Sequence, residues 1–311
     1  MKLYKYRSIK NRSQFEYYLK ALEEGYLWFA DVPTLNDPQD SIIYYDKEKE
    51  GQFLLDYFKV HKVEILDALL ENTLSAIPGA VEQKNKLSDQ DILEIMTCCE
   101  TGKESQFLES KGANKIQLEQ YGKIKQEFLN KMEPIFKEIE PKILEILNFN
   151  ETFRIKIKVL SLSSDFDNKH LWEKYSENFG FCIEYDLEKI KHLPEPERKH
   201  LKELKQVIYT DEREHFSWLP VFLLMFGVGN KELLSKELEI SLETQLITKD
   251  QKWLQESEYR FFNNEKNRVY ADLVSSIYLH ENIIGTDEGN RLIELARKRN
   301  WNIHVWKPER R

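Results

Sequence analysis

Hydrophobic and polar positions alternate at the start of the chain and then change to a helical period. Residues 2–7 (KLYKYR) alternate between two faces and predict a short strand. Apolar residues then recur three and four positions apart up to Glu24, which predicts a helix with Ser13 as its N-cap and Gly25 after its last turn. YLWFA (26–30) predicts a second strand, and the run VPTLNDPQD that follows it predicts a turn.

A long segment of helical periodicity follows this turn. From residue 51 to residue 150 aromatic residues become sparse and apolar residues fall at i, i+3 and i+4, with breaks at Pro134 and Pro141. The pattern predicts about four or five helices. We therefore expect residues 51–150 to form a helical insertion or lid on an α+β core domain made of residues 1–50 and 151–311.

Strand periodicity returns from Phe153 onwards. β-Branched and aromatic residues alternate in further runs that predict strands, namely RIKIKVLSLSS, FGFCIEYD, QVIYT and SEYRFF. Strands are also predicted over 272–279 and 302–306, and helices over 170–177, 218–246 and 288–300. Strands and helices in this order predict an α+β fold with a mixed or antiparallel β core.

Composition limits the class of protein. The chain has 311 residues, 41% hydrophobic and 32% charged, which is typical of a folded protein with one large domain or two ordinary ones. It has three cysteines, of which Cys98 and Cys99 are adjacent, and this usage predicts a reducing, cytoplasmic environment. No apolar run approaches the roughly 20 residues that cross a membrane, and the opening MKLYKYRSIK lacks the apolar core of a signal peptide.

Charge and missing motifs argue against several classes of function. The net charge of −8 argues against nonspecific binding to nucleic acid, because proteins that bind phosphate backbones need a basic face. The sequence contains neither a GxxxxGK[ST] nor a GxGxxG loop, no HExxH or CxxC, and no nucleophile elbow. Its seven histidines do not pair at the spacing of metal ligands, so no metal site is expected from them.

Segments rich in polar and aromatic residues, far apart in sequence, form the candidate site: YKYRS (4–8), NDPQD (36–40), LWEKY (171–175) and ESEYR (256–260). In the last of them, strand alternation places Glu256, Glu258 and Arg260 on one face. Such a row of charge is costly to bury unless it is paired. The carboxylates are candidates for acting on a substrate, and the alternative is a solvated strand face or an internal ladder of ion pairs.

The first segment supplies candidate binding groups on a strand. Tyr4 and Tyr6 share one face, and Arg7 lies on the other with Lys5. Arg7 is suited to bind a phosphate or carboxylate, or to pair with Glu258. In the alternative, the tyrosines are core residues and the cations lie on the surface.

The two remaining segments supply a helix and a turn. Trp172 and Tyr175 lie three residues apart on one helical face, where they either stack on a ring of the ligand or form a core contact. Asn36 and Asp37 either bond nearby backbone amides and shape the turn, or face the ligand.

These segments, in this order, resemble the bacterial domain of unknown function 2971 family. That family opens with YKYRS, a helix and a strand with an NDP-acid turn, as GYLWFADVPTLNDPQD does here. SLSSDFDNKHLWEKYSENFGFCIEYD is similar to the family's Ser-rich strand end, Trp-x-x-Tyr helix and Gly-led strand, and QVIYTDE fits the strand that follows. TKDQKWLQESEYRFF is similar to its Lys-x-x-x-Trp and Glu-x-Glu-x-Arg segment. His280 departs from the pattern, because the family usually has a glycine there, and the family name implies no activity.

A second resemblance is to the ADP-ribosyltransferase superfamily, which binds NAD. There a polar residue on the first strand binds the dinucleotide, a Ser or Tyr lies in mid-chain, and a Glu, often as Glu-x-Glu, lies on a late strand. The matching positions here are Arg7 or Tyr6, then Ser161, Ser163 or Tyr175, then Glu258 with Glu256 before it. The resemblance implies that Glu258 stabilises an oxocarbenium-like transition state and that Glu256 orients the acceptor. The superfamily's usual first-strand histidine is missing.

Different classes of function remain open. The first is an NAD-dependent ADP-ribosyltransferase-like enzyme of bacterial stress or phage defence, with catalytic Glu258 and Glu256 and a nucleotide or protein acceptor. The second is a noncatalytic sensor module that binds a nucleotide or a peptide. The third is a metal-dependent nuclease, whose candidate ligands and lysines are Asp37, Asp40, Glu256, Glu258, Lys249 and Lys252. The fourth is a structural partner protein whose motifs only stabilise the fold. The candidate substrate-binding residues are Tyr4, Tyr6, Arg7, Asn36, Asp37, Ser163, Trp172, Tyr175 and Arg260.

Overall fold

The computed structural model describes residues 1–35, 37, 39–61, 65, 147 and 156–308. The chain divides into two compact units. Unit 1 comprises Met1–Ile43, Asn150–Glu214 and Thr244–Arg311, and unit 2 comprises Tyr44–Phe149 and His215–Glu243. Most of the predicted helical insertion, residues 51–150, lies outside the described residues, so its number of helices stays a prediction.

Within the part of the chain that the structure describes, the strands all belong to unit 1. They are β1 (Lys2–Ser8), β2 (Tyr26–Trp28), β3 (Ala30–Asp31), β4 (Lys158–Ser163), β5 (Gly180–Asp186), β6 (Leu204–Gln206), β7 (Ile208–Thr210), β8 (Thr248–Asp250), β9 (Glu258–Asn263), β10 (Arg268–Tyr270), β11 (Val274–His280) and β12 (Asn302–Trp306). The main sheet has the order β12-β11-β5-β1-β4-β9-β6, with β3 also paired to β4. Its pairs are antiparallel except β11 with β12, which is parallel. The predicted α+β fold with a mixed sheet is therefore confirmed.

The described helices are α1 (Arg12–Glu24), α2 (Lys47–Val60), α3 (Lys169–Lys174), α4 (Glu195–Arg198), α5 (Leu219–Phe226), α6 (Lys231–Ile247) and α7 (Asp287–Lys298). Helices α1 and α7 place apolar residues such as Phe15 and Leu292 in one core cluster with Leu3 of β1. Tyr4 and Tyr6 point to the other face of β1, into a second cluster with Trp172 of α3. The alternation predicted for the first strand is therefore present.

Several element boundaries differ from the prediction. The N-cap of α1 is Asn11, whose Oδ1 accepts from the backbone N–H of Gln14, and not Ser13. The predicted helix over 218–246 is two helices, because Gly227 and Gly229 between them have φ of 70° and 78°. The predicted strand over 206–210 is divided between β6 and β7, which belong to different sheets.

The pairing between β1 and β4 is short. Strand β1 pairs with β5 at seven positions, from Lys2 opposite Asp186 to Ser8 opposite Gly180. It pairs with β4 at a single position, Tyr4 opposite Ser163. From Lys5 to Ser8, β1 is not paired with β4, so an opening separates the two strands there. Side chains from both faces of β1 reach this opening.

Candidate functional site

A cavity of about 240 Å³ lies where β1 and β4 separate, and we call it the first cavity. All of the polar-aromatic segments contribute to its lining. The lining residues with polar or aromatic side chains are Tyr4, Lys5, Tyr6, Arg7, Thr34, Asp37, Asp40, Ser161, Ser163, Lys174, Tyr175, Lys249, Trp253, Glu256 and Glu258. The fold therefore brings segments from the beginning, middle and end of the sequence together in unit 1.

Glu258 is a buried carboxylate held by two cations. Arg260 donates from Nε to Oε1 at 2.8 Å and from a terminal nitrogen to Oε2 at 3.1 Å, and Lys249 donates to Oε2 at 3.0 Å. Burial by itself would raise the pKa of Glu258, but Arg260 and Lys249 lower it to about 2. The group is thus ionised at neutral pH, and its oxygens already accept hydrogen bonds.

Lys249 lies at the centre of three carboxylates. Its Nζ is 2.6 Å from Oε2 of Glu256, 3.0 Å from Oε2 of Glu258 and 3.5 Å from Oδ2 of Asp40. Burial disfavours the charged form, but these carboxylates raise the pKa of Lys249 above its ordinary value. Arg260 completes the cluster by donating to Oδ2 of Asp40 at 2.8 Å.

Glu256 joins this cluster to the aromatic wall of the cavity. Its Oε1 accepts from the hydroxyl of Tyr175 at 2.7 Å and from Nζ of Lys174 at 3.0 Å. Nζ of Lys174 also lies 3.3 Å from the ring centroid of Trp253, a cation–π contact. The indole N–H of Trp253 donates to Oδ2 of Asp37 at 2.7 Å. Each acid that lines the cavity therefore has a donor from a neighbouring side chain.

The prediction that Glu256, Glu258 and Arg260 share one face of a strand is wrong for Glu256. Strand β9 begins at Glu258, whereas Glu256 ends a 3₁₀-helix over Gln251–Glu256. Between them Ser257 has a φ of 46°, in the left-handed region. Glu258 and Arg260 do share a face, as the strand period requires. Glu256 reaches the same ammonium through a turn that alternation could not predict.

Lys5 and Arg7 also line the cavity, and they differ from its other cations in their partners. Nζ of Lys5 donates to the backbone carbonyl of Ser161 at 2.6 Å. Burial, with the charge of Arg7, lowers the pKa of Lys5 to about 7. The guanidinium carbon of Arg7 is 4.5 Å from the ring centroid of Tyr18. Among the described residues neither Lys5 nor Arg7 has an ion-pair partner, and the predicted pair of Arg7 with Glu258 is not formed.

Three other predicted residues line the cavity with their hydroxyl groups engaged elsewhere. The hydroxyl of Tyr4 donates to Oε2 of Glu184 at 3.3 Å. That of Tyr6 donates to the carbonyl of Asp165 at 2.6 Å. Ser163 Oγ accepts from the backbone N–H of Asp165 at 3.2 Å. Tyr4 and Tyr6 therefore contribute aromatic surface to the cavity, and the hydroxyl groups of all three residues already have partners.

The remaining predicted residues lie elsewhere. Trp172 and Arg260 are both fully buried, at 0% exposure, and neither lines the cavity. Trp172 stacks on Trp306 with 4.6 Å between ring centroids, which is a core contact. Asn36 lies outside the described residues. Trp172 therefore packs in the core, and Arg260 holds the carboxylates of Glu258 and Asp40 without lining the cavity itself.

The sequence interpretation missed several residues that the cavity contains. Lys5, Lys174 and Trp253 were not predicted as site residues, and Asp40 and Lys249 were considered only as part of a metal-dependent enzyme. The sequence does contain a signal for two of them: Lys249 and Trp253 form the Lys-x-x-x-Trp pattern that directly precedes ESEYR. Lys5 lies between the two tyrosines of YKYRS.

The carboxylates proposed as metal ligands surround an ammonium group. Within the part of the chain that the structure describes, no three His, Cys, Asp or Glu side chains are arranged to hold a metal ion. Asp40, Glu256 and Glu258 converge on Nζ of Lys249. A divalent ion at that point would have to displace a paired lysine.

Unit 1 is thus an α+β protein unit with a charged, aromatic cavity at a gap in its sheet. Residues 171–261 match the model of a family described as protein of unknown function, DUF2971. The match confirms the family predicted from the motifs over a segment that includes LWEKY and ESEYR. Neither the curated proteins nor the solved structures gave a match to this chain. No helix within the described ranges is long and apolar enough to cross a membrane.

Proposed function

We propose that unit 1 binds a small anionic ligand of the nucleotide type in the first cavity. The observation that carries this proposal is the pair Lys5 and Arg7, which line the cavity and have no ion-pair partner among the described residues. Lys5 and Arg7 are half-buried, and a cation that is partly removed from water without a counterion is unfavourable. An anion that enters the cavity would supply the missing charge.

The acids of the cavity supply that charge only in part, because Glu258 and Glu256 raise the pKa of Lys5 less than burial and Arg7 lower it. Glu258 and Asp40 are bound by Arg260 and Lys249, and Glu256 is bound by Lys249 and Lys174. Those contacts leave Lys5 with one neutral acceptor, the carbonyl of Ser161. Phosphate suits an arginine beside a lysine, because guanidinium binds its oxygens in pairs and ammonium binds them as a point charge.

The aromatic residues of the cavity favour a ligand that also carries a ring. Tyr175 and Trp253 line the cavity together with Tyr4 and Tyr6 of β1. Binding sites for small molecules are usually lined by such side chains with a few placed polar groups. A nucleotide combines a phosphate with a flat base, and this combination corresponds to the two kinds of surface in the cavity.

Titration calorimetry tests the proposal with ADP, inorganic pyrophosphate and adenosine as probes. We expect ADP to bind more tightly than adenosine, and Lys5→Met and Arg7→Met each to weaken ADP binding by roughly tenfold to a hundredfold. Lys10→Met is the matched control, because Lys10 is exposed and does not line the cavity. Failure of all three probes to bind, or ADP binding that neither variant changes, would overturn the proposal.

A second candidate function, which is catalytic, is the ADP-ribosyltransferase-like cleavage of NAD. What supports it is that Arg7, Tyr175, Glu256 and Glu258 line one cavity, and that Glu258 is ionised, as a carboxylate that stabilises an oxocarbenium-like state must be. Against it, the oxygens of Glu258 are occupied by Arg260 and Lys249. Nicotinamide release from NAD that is lost in Glu258→Gln would support catalysis. NAD binding without release favours the noncatalytic module.

A further inference from the structure

A second cavity, of about 480 Å³, shares lining residues with the first. The shared residues are Lys5, Arg7, Ala30, Thr34, Leu35 and Ser161. The second cavity also reaches the side chains of α1, including Tyr17 and Tyr18, and Trp28 of β2. Lys5 and Arg7 therefore stand at the boundary between two aromatic compartments of unit 1.

We infer that the ligand carries two rings joined by a phosphate-containing linker, with the linker at Lys5 and Arg7 and one ring in each cavity. This inference rests on the proposed function, and it names the class of ligand as dinucleotide-like. A mononucleotide would leave one aromatic compartment without a partner.

The second cavity has its own features for holding a ring. Trp28 lies against Tyr17 edge to face, with 5.3 Å between ring centroids. The hydroxyl oxygen of Tyr17 is buried, and it has no hydrogen-bond partner of standard geometry among the described residues. Burial and the neighbouring hydroxyl of Tyr26 raise the pKa of Tyr17, so the second cavity offers a ligand the aromatic rings of Tyr17 and Trp28 and not an unengaged hydroxyl group. The first cavity offers Tyr175 and Trp253 for the other ring.

The spacing of the two cations suits a linker longer than one phosphate. Lys5 and Arg7 lie two residues apart on one face of β1, so their Cα atoms are roughly 7 Å apart. Arg7 is fixed over Tyr18 and Lys5 is fixed on Ser161, so the two charges are held at separate points. Two linked phosphates can contact both points at once, with one phosphate at each cation.

Calorimetry with ADP, NAD and diadenosine diphosphate tests this inference. ADP carries one ring, and the other two probes carry two rings joined through a diphosphate. We expect at least one two-ring probe to bind tenfold or more tightly than ADP, since stacking of a base on an aromatic side chain contributes about 1–3 kcal/mol. Trp28→Ala and Trp253→Ala should each weaken the two-ring probe by roughly tenfold or more, while only one of them should weaken ADP.

The controls separate this inference from the function on which it rests. Tyr270→Ala removes a half-exposed ring outside both cavities and should change no affinity. Trp28→Phe and Trp253→Phe keep a ring in place and should retain most of the affinity if the alanine variants fold poorly. If ADP binds through Lys5 and Arg7 but neither two-ring probe binds more tightly, the inference is wrong and the proposed function stands. If no probe binds, the proposed function itself fails.

Discussion

The Nζ atom of Lys5 donates a hydrogen bond of 2.6 Å to the backbone carbonyl of Ser161, across the gap where β1 and β4 separate. A carbonyl oxygen accepts a hydrogen bond from a neutral amine and, more strongly, from an ammonium group, so this neutral acceptor is compatible with either form of Lys5. Burial and the charge of Arg7 hold the pKa of Lys5 near 7, far below its ordinary value of 10.5. The ammonium group of Lys5 therefore titrates near neutral pH.

Binding of an anion should be coupled to the uptake of a proton by Lys5. An anion next to Nζ stabilises the ammonium form, so the pKa of Lys5 rises on binding from about 7. Affinity should then be highest below pH 7 and fall as the pH rises through that value, because the free protein must gain the proton to bind. Calorimetry with ADP in buffers of different ionisation enthalpy measures the uptake. The Lys5→Met variant should show neither the uptake nor this pH dependence, and a variant that kept both would contradict the assignment.

Removal of Lys249 should destabilise unit 1 strongly. Lys249→Met leaves the carboxylates of Asp40, Glu256 and Glu258 without their shared ammonium, and loss of one partner from a buried ion pair costs about 3–5 kcal/mol. Urea unfolding measures this loss in the free energy of unfolding. Loss of the ammonium removes a group that lowers the pKa of Glu256 and Glu258, so both pKa values rise and the variant should recover stability relative to the parent as the pH falls.

Lys252 provides the matched control for Lys249. Its side chain is 57% exposed and pairs with Asp250 at 3.1 Å. Exposed pairs contribute little, so Lys252→Met should leave the unfolding midpoint nearly unchanged. Equal losses in the two variants would mean that the cluster around Lys249 has no special role in stability.

Local patterns predicted the strands of the site but not the way in which they separate. The alternation in YKYRS gave β1 and the opposite faces of Tyr4 and Lys5, as the structure has them. The single pairing position of β1 with β4 depends on contacts between residues far apart in sequence. Because strand period alone assigns Tyr4 and Lys5 to different surfaces, it could not predict that both line one cavity.

The charged cluster was predicted only in part for a similar reason. Glu258 and Arg260 follow the strand period, and their pairing was one of the expected alternatives. The left-handed φ of Ser257 is unusual for a residue with a side chain, and no glycine or asparagine marked the turn. Lys249 lies in β8, a strand of three residues that is too short for periodicity to reveal. The cluster therefore depended on a turn and on a strand that the sequence did not disclose.

Glu184 should stabilise unit 1 in a pH-dependent way. Burial alone would raise its pKa, but hydrogen bonds from neighbouring groups lower it to about 2, and the main donors are Lys2, Ser275, Ser276 and Tyr278. A folded pKa below the ordinary value of 4.5 means that the contribution is complete above that pH and is lost as the pH falls toward 2. Glu184→Gln should therefore cost about 1–3 kcal/mol at pH 7, measured by urea unfolding, and the difference should shrink in acid.

The control for Glu184 is an exposed acid on the next element. Glu188 has a side chain 66% exposed and pairs with Lys191 at 3.5 Å. Glu188→Gln should leave both the unfolding midpoint and its acid dependence close to those of the parent. A Glu184→Gln variant whose deficit stayed constant from neutral pH into acid would show that the lost shape, and not the lost charge, explains the change.

Gly180 should tolerate no side chain, because β5 passes too close to β1 at that position. A Cβ atom on Gly180 would lie 2.0 Å from the carbonyl oxygen of Arg7, so the backbone of one strand must move. We expect Gly180→Ala to lower the free energy of unfolding by about 3 kcal/mol and, by shifting Arg7, to weaken ADP binding. Gly51→Ala is the comparison, because its Cβ would meet Leu147 at 3.5 Å, an ordinary contact, within helix α2. That variant should gain up to about 1 kcal/mol from helix propensity. Similar changes in both variants would mean that the close approach of Gly180 to Arg7 does not set the position of β1.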